Sequence, residues 1–286
     1  MTVDSVRDYW DSRPCNVRHS QADIDKYPVL YSWEVLCRKF RAEPHIVDFS
    51  EFPRWRGKEV CDLGCGIGTQ SLCFASHGAM VIGVDISKQS LSIAHRRALA
   101  TGLEKQIIWV AANIEDYAPT GLKETFDLVY AFGSIHHTPT PLKAVMSAHH
   151  LLKPGGTFKL MLYHRRSLKV LSILVRNCRQ YFHWKSIDKV VALESEAQTG
   201  CPITYTYTKD SARAMLERAG FCIESLDIEH IFPYKVTDYI KGQYVLAWPW
   251  NWLPGKWFNW LQHRLGWHLC ITARKSPFQI GEQNEH

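Results

Sequence analysis

The chain has 286 residues, 46% of them hydrophobic, which allows one large α/β domain with insertions, or two domains at most, around a full-sized core. No apolar stretch reaches the roughly eighteen residues a membrane helix needs, and Met1-Thr-Val-Asp-Ser-Val-Arg-Asp lacks a signal-peptide pattern, so a cytoplasmic protein is expected. The net charge of +6 permits an anionic partner without demanding one, and nine cysteines with no Cys-x-x-Cys pair are expected to be reduced packing residues rather than a disulfide frame or zinc site.

Pro28, Pro44 and Pro53 interrupt residues 1–56, so short helices and turns are expected there. A regular alternation follows. A strand at about 58–63 leads to a helix near 69–77 that stops at Gly78. A strand at 80–84 leads to Ser87, a suitable N-cap, and a helix running to Gly102. Further strands are expected at Ile107–Val110, 126–132 and 157–163, with a helix over about 140–152 between the last two. Strands alternating with helices imply parallel order and right-handed crossovers, with the ligand site at the carboxyl ends of the strands.

After residue 163 the alternation pauses. Residues 164–207 hold an apolar helical run (Leu168, Leu171, Leu174, Val175) and a second candidate helix through Val190, Leu193 and Ala197. Thr208 then caps a helix to Ala219, Gly220 stops it, a strand starts at Phe221, and Trp267–Ala273 alternates with the period of a last strand. The reading is one domain spanning 1–286. It comprises an N-terminal lid segment (1–56), a ligand-binding core (57–163), a cap insertion (164–207), the remainder of the core (208–232 and 266–274) and an aromatic insertion (233–265).

The most informative stretch is Asp62-Leu63-Gly64-Cys65-Gly66-Ile67-Gly68, followed by Val81-Ile82-Gly83-Val84-Asp85. Glycines between strand and helix let the backbone approach a ligand, and an acid ending the second strand can accept both hydroxyls of a ribose. The Gly-x-Gly-x-Gly spacing differs from the pyrophosphate-binding Gly-x-Gly-x-x-Gly, so the nucleoside need not carry a phosphate. Asp85 has a plainer alternative as a cap for the helix near Ser87.

Together with Ala112-Asn113-Ile114, the run from Phe126 to His137 and Leu151-Leu152-Lys153-Pro154-Gly155-Gly156-Thr157, these motifs resemble those of the class I S-adenosylmethionine-dependent methyltransferases of small-molecule type. The resemblance implies a Rossmann-like open α/β sheet, mostly parallel with an antiparallel last strand, plus helical and aromatic cap insertions. It implies S-adenosyl-L-methionine as cofactor, bound by Asp62, Gly64, Cys65, Gly66, Gly68 and Asp85, with Ile86, Asn113, Ile114 and Phe132 about the adenine.

It also puts His136 and His137 beside the transferring methyl, and gives Tyr163 and His164 a similar claim as catalytic residues. Tyr9, Trp10, Arg18 and His19 resemble a lid, and Tyr205 and Tyr207, in the polar stretch Gln198–Tyr207, are candidates for the acceptor pocket. Each could instead be structural. No metal is expected in the protein's own machinery, because Gly133-Ser134-Ile135-His136 stands where metal-dependent relatives carry acids.

The function expected is methyl transfer by in-line displacement to a small, hydrophobic or lipid-like acceptor. The alternatives are an RNA or protein methyltransferase and a non-catalytic donor-binding subunit. The first lacks an Asn-Pro-Pro-Tyr-type motif and a basic stripe, so no nucleic acid partner is expected. Between Trp248 and Leu265, Trp257, Trp260, Leu261 and Arg264 recur at helical spacing. Packing on the core is the default reading of that stripe; a wall of an apolar pocket and peripheral membrane contact are the others. The sequence is silent on oligomeric state.

Overall fold

The N-terminal helices come first in the computed structural model, which describes residues 2–184, 186–195 and 200–276. They are α1 (Val3–Ser12), α2 (Pro28–Ala42), with Pro28 in its first turn where a missing amide costs nothing, and α3 (His45–Ser50). Then β1 (Glu59–Leu63) feeds α4 (Thr69–Ser76), and β2 (Met80–Asp85) feeds α5 (Lys88–Thr101). Ser87 caps α5 by accepting the Ser90 amide at 3.0 Å, and Gly102 ends it at φ +69°. β3 (Ile107–Ala111), β4 (Phe126–Phe132), α6 (Pro141–Leu151) and β5 (Leu152–His164) complete the regular alternation.

The insertion holds α7 (Leu168–Arg176), α8 (Cys178–Trp184) and α9 (Ile187–Ala192). It is followed by β6 (Thr206–Tyr207), α10 (Lys209–Arg218), β7 (Phe221–Glu229), α11 (Val236–Ile240), α12 (Gly255–Leu265) and β8 (His268–Lys275).

The sheet order is β3-β2-β1-β4-β5-β8-β7. The first five strands pair in parallel, and β8 lies antiparallel between β5 and β7. This is the open, mostly parallel α/β sheet expected, with its antiparallel end. Strand alternation divides the core between the two faces of the sheet. Val129 and Ala131 join a cluster with α6 and α10, whereas Leu128 and Tyr130 join one with Phe52, Trp55 and Phe74. Fully burying each large apolar side chain contributes roughly 1.5 to 3 kcal/mol.

Three expectations need correction. β5 begins at Leu152 rather than 157: Gly155, at φ +72°, lets the chain make an irregular step, and the pairing jumps from Phe126–Leu152 to Leu128–Thr157. The second insertion helix ends at Ala192, earlier than its apolar pattern suggests; Ala197, Glu196, Gln198 and Thr199 lie outside the described residues. The aromatic stripe is not core. No residue of α12 is buried, and Trp248 and Trp252 are 80% and 82% exposed. Polar groups hold that helix instead: Gln262 donates to Glu229 at 2.9 Å, and His263 Nδ1 to the Ile228 carbonyl at 3.2 Å.

Candidate active site

At the carboxyl ends of β1, β2, β4 and β5 lies a cavity of about 1080 Å³. One end is the glycine loop. Gly64 is at φ +75°, and a Cβ there would fall 2.1 Å from Ser134 Cβ, so only glycine lets this loop meet the one after β4. Gly66, at φ +54°, has nothing within 4 Å of its missing side chain and lines the cavity. Its amide donates to Asp85 Oδ2 at 2.8 Å, while the Ser87 amide donates to Asp85 Oδ1 at 2.8 Å. Asp85 thus holds the loop and the start of α5 together while itself lining the cavity; burial raises its pKa.

Cys65, Ile86, Asn113, Ile114 and Phe132 also face the cavity. Asp62 and Gly68 are not on its wall. Asp62 is buried and accepts from Ser71 at 2.6 Å; burial, aided by the Asp85 charge, raises its carboxyl to about 7. Gly68 is a packing position, where a Cβ would lie 2.5 Å from the Trp109 ring. Their part is to shape the loop from behind.

Of the four expected catalytic residues, His137 and Tyr163 reach the cavity. His137 Nδ1 lies 2.9 Å from the Ile203 carbonyl, which can only accept, so Nδ1 carries the ring proton. Tyr163 stacks on Trp267 with centroids 4.0 Å apart. His136 is fully buried behind them, 4.3 Å from the His137 ring and 3.8 Å from Tyr163; burial and the neighbouring imidazole push its pKa well down. His164 points away: it donates from Nδ1 to the Gly266 carbonyl at 3.1 Å. Adjacent residues of a strand face opposite sides, so Tyr163 in the cavity requires His164 outside it.

The lid candidates also divide. Trp10 lines the cavity and meets the His137 ring edge-on at 5.4 Å. Asp11 anchors α1 to the start of α5, accepting from Ser87 Oγ at 2.9 Å and the Gln89 amide at 3.2 Å. Tyr9 donates its hydroxyl to the Gly200 carbonyl, tying α1 to the insertion. Arg18 and His19, in a short turn of 3-10 helix, lie off the cavity wall, as do Tyr205 and Tyr207. Tyr205 supports the loop after β4 through its amide, which donates to the His136 carbonyl at 2.9 Å, and Tyr207 packs against the main core.

The opposite wall went unseen in the sequence. Lys39 of α2 and Glu43 at its C-cap, His45 of α3, His230 after β7 and His268 of β8 form one polar cluster, and all but His45 line the cavity. Lys39 donates to Glu43 Oε1 at 2.7 Å. His45 Nε2 and His268 Nδ1 are 3.0 Å apart, and His230 stacks on His268 at 4.6 Å. Burial would raise the Glu43 carboxyl, but Lys39 and the nearby imidazoles overcome it and hold it at about 2. Burial pushes His45 down to about 3, and His268 well down, with His230 adding repulsion in both cases. The only local signal was the Lys39–Glu43 spacing, one helical turn; the rest comes together through pairings of 223 residues' separation.

Residues 60–156 match the family model described as a methyltransferase domain. That segment, about a third of the chain, is similar to the class I S-adenosylmethionine-dependent methyltransferases. A ubiquinone biosynthesis O-methyltransferase from Vibrio vulnificus is 37% identical over 100 residues, 35% of this chain and 41% of the relative, so the likeness spans less than half of that protein. Among solved structures, geranyl diphosphate C-methyltransferase from Streptomyces coelicolor A3(2) superposes with a TM-score of 0.58 at 13% identity, covering 95% of this chain and 97% of its own. Magnesium protoporphyrin IX methyltransferase from Synechocystis does so with 0.55 at 16%, covering 95% of each chain. At these identities the two structures speak for the fold alone.

Proposed function

We propose that this protein transfers a methyl group from S-adenosyl-L-methionine to a small-molecule acceptor, of hydrophobic or lipid-like character with a polar group at one end. The observation that carries the reading is a single cavity of about 1080 Å³ running from the glycine loop and Asp85 to Tyr163 and the His268 wall. Ligand pockets span roughly 300 to 1,000 Å³, so this one has room for a donor and a second molecule side by side.

The residues fit the donor. Gly66 leaves open space for it, the Asp85 carboxylate stands ready for ribose hydroxyls, and Ile86, Ile114 and Phe132 offer apolar faces for a purine. When bound, the donor supplies an activated methyl on a cationic sulfur together with its own leaving group. What the chain must do is hold the acceptor in line and exclude water. Such positioning contributes about 7 to 11 kcal/mol in well-organised cases, against roughly 3 to 5 for proton transfer, so alignment outweighs base catalysis. Trp10, Tyr163 and Trp267 form the apolar wall, and the Lys39–Glu43–His268 side receives the polar end of the acceptor. The Vibrio relative's acceptor chemistry, O-methylation, supports an oxygen acceptor here.

Among the described residues no helix is long and apolar enough to cross a membrane; we place the protein in the cytoplasm, with peripheral membrane contact through the exposed tryptophans. Isotopically labelled donor incubated with a metabolite extract tests the activity by mass spectrometry. Labelled methyl should appear in an acceptor, with demethylated donor as co-product. Donor binding without any turnover would instead support a non-catalytic donor-binding subunit.

A further inference from the structure

We propose that Glu43, His45 and His268 form a binding site for a divalent first-row transition metal ion, Zn²⁺ being the probe of choice, on the acceptor side of the cavity. The donor set is two imidazoles and one carboxylate, a combination suited to Zn²⁺, Fe²⁺ or Mn²⁺ and unsuited to Mg²⁺ or Ca²⁺. One ligand atom from each residue lies within 4.8 Å of the other two. Two of the edges are known individually: His45 Nε2 to His268 Nδ1 is 3.0 Å and Glu43 Oε2 to His268 Nδ1 is 3.8 Å. With metal–ligand bonds of about 2.0 to 2.2 Å, neighbouring ligand atoms in a tetrahedron sit roughly 3.3 Å apart, so a small closure of the triangle suffices.

A second observation points to a ligand. Glu43 Oε1 is held by Lys39, but Glu43 Oε2 is buried with no hydrogen bond, and a buried carboxylate oxygen left in this way is costly. A cation between it and the two imidazoles would satisfy it. The ring that now donates in the 3.0 Å contact moves its proton to its other nitrogen, so both ligating nitrogens present lone pairs and no proton is lost. Lys39 orients the carboxylate from behind, as an outer partner does in metal sites.

Glu43 and His268 line the cavity, so the ion's remaining positions face the acceptor space, as in an open site rather than a closed structural one. His230 stands beside them in a left-handed backbone conformation, φ +68°, that brings its ring onto His268. An oxygen of the acceptor could then complete the coordination; that last step rests on the proposed methyl transfer, whereas the site itself does not.

The full chain, stripped with a chelator, is titrated with Zn²⁺ by calorimetry and with Co²⁺ by visible absorption. One equivalent of Zn²⁺ and a low-coordinate Co²⁺ spectrum are expected. Glu43→Gln and His268→Asn, near-isosteric changes, should each weaken Zn²⁺ by at least about tenfold while calorimetry with demethylated donor stays as in the parent protein. Absence of stoichiometric Zn²⁺ binding, a hexa-aqua Co²⁺ spectrum, or equal Zn²⁺ affinity in folded variants overturns the site. Loss of demethylated-donor binding in the parent protein would instead strike only the methyltransferase reading.

Discussion

The amide of Gly66 donates to Asp85 Oδ2 at 2.8 Å, so the glycine loop after β1 and the acid ending β2 are one unit rather than two separate contacts. A donor whose ribose takes the Asp85 carboxylate therefore meets a loop already fixed in position. Asp85→Ala should remove charge-assisted hydrogen bonds worth about 1.5 to 3 kcal/mol, weakening donor roughly tenfold to more than a hundredfold. Gly66→Val adds a branched side chain at φ +54°, in space now open, and should weaken it at least as much. Calorimetry with demethylated donor decides; unchanged affinity in both folded variants would remove the cofactor assignment.

His137 and Tyr163 should separate from His136 and His164 in kinetics. Once an acceptor is known, His137→Gln and Tyr163→Phe are expected to lower kcat by about ten- to a hundredfold with little change in donor affinity, because these side chains reach the cavity. His164→Ala should leave kcat near that of the parent and cost about 1 to 3 kcal/mol of stability, since it strands the Gly266 carbonyl. A kcat loss confined to His164 would reverse this assignment.

How far the sequence reached follows from the range of each signal. Ser87, Gly102, Thr208 and Gly220 act within one turn of their own element, so the ends of α5 and α10 were readable to within a residue or two. The glycine loop and Asp85 were readable because the βαβ unit fixes their spacing. Strand alternation separates Tyr163 from His164, so the period of β5 carries that distinction in the sequence itself. The Glu43–His268 wall could not be read, because its members meet only when α2 and α3 fold against the far end of a sheet whose strand order is not sequential.

Stability should fall in mild acid. Burial, with the charge of Lys39 acting in the same direction, lowers His19 from 6.5 to about 4; burial also lowers His164 and pushes His136 well down. A lowered histidine pKa means that the unfolded chain takes up protons that the native one refuses. Stability is therefore fully present above about pH 6.5 and is lost as pH falls toward the folded value, by about 1.4 kcal/mol per pH unit for each such group. Between pH 6.5 and 4 the Tm should drop steeply, and His19→Gln should flatten the slope. A Tm that holds constant over this window would show that these rings gain protons in the folded state.

Trp248, Trp252, Trp257 and Trp260 are 80%, 82%, 60% and 48% exposed, which soluble surfaces rarely sustain in one segment. Their apolar rings and polar indole nitrogens suit the headgroup region of a bilayer, and Lys256 and Arg264 on the same helix suit anionic lipid. Trp250 and Leu265 of this segment line the cavity, so a helix lying on a membrane would set the cavity's aromatic side near the lipid, where a hydrophobic acceptor is found. The chain is therefore expected to co-sediment with anionic vesicles, less with neutral ones, and Trp252→Ser with Trp257→Ser should abolish the association while leaving donor affinity unchanged. Parent protein that stays in the supernatant with anionic vesicles would leave the tryptophans as the docking face of another partner and cut the link between this surface and a lipid-like acceptor.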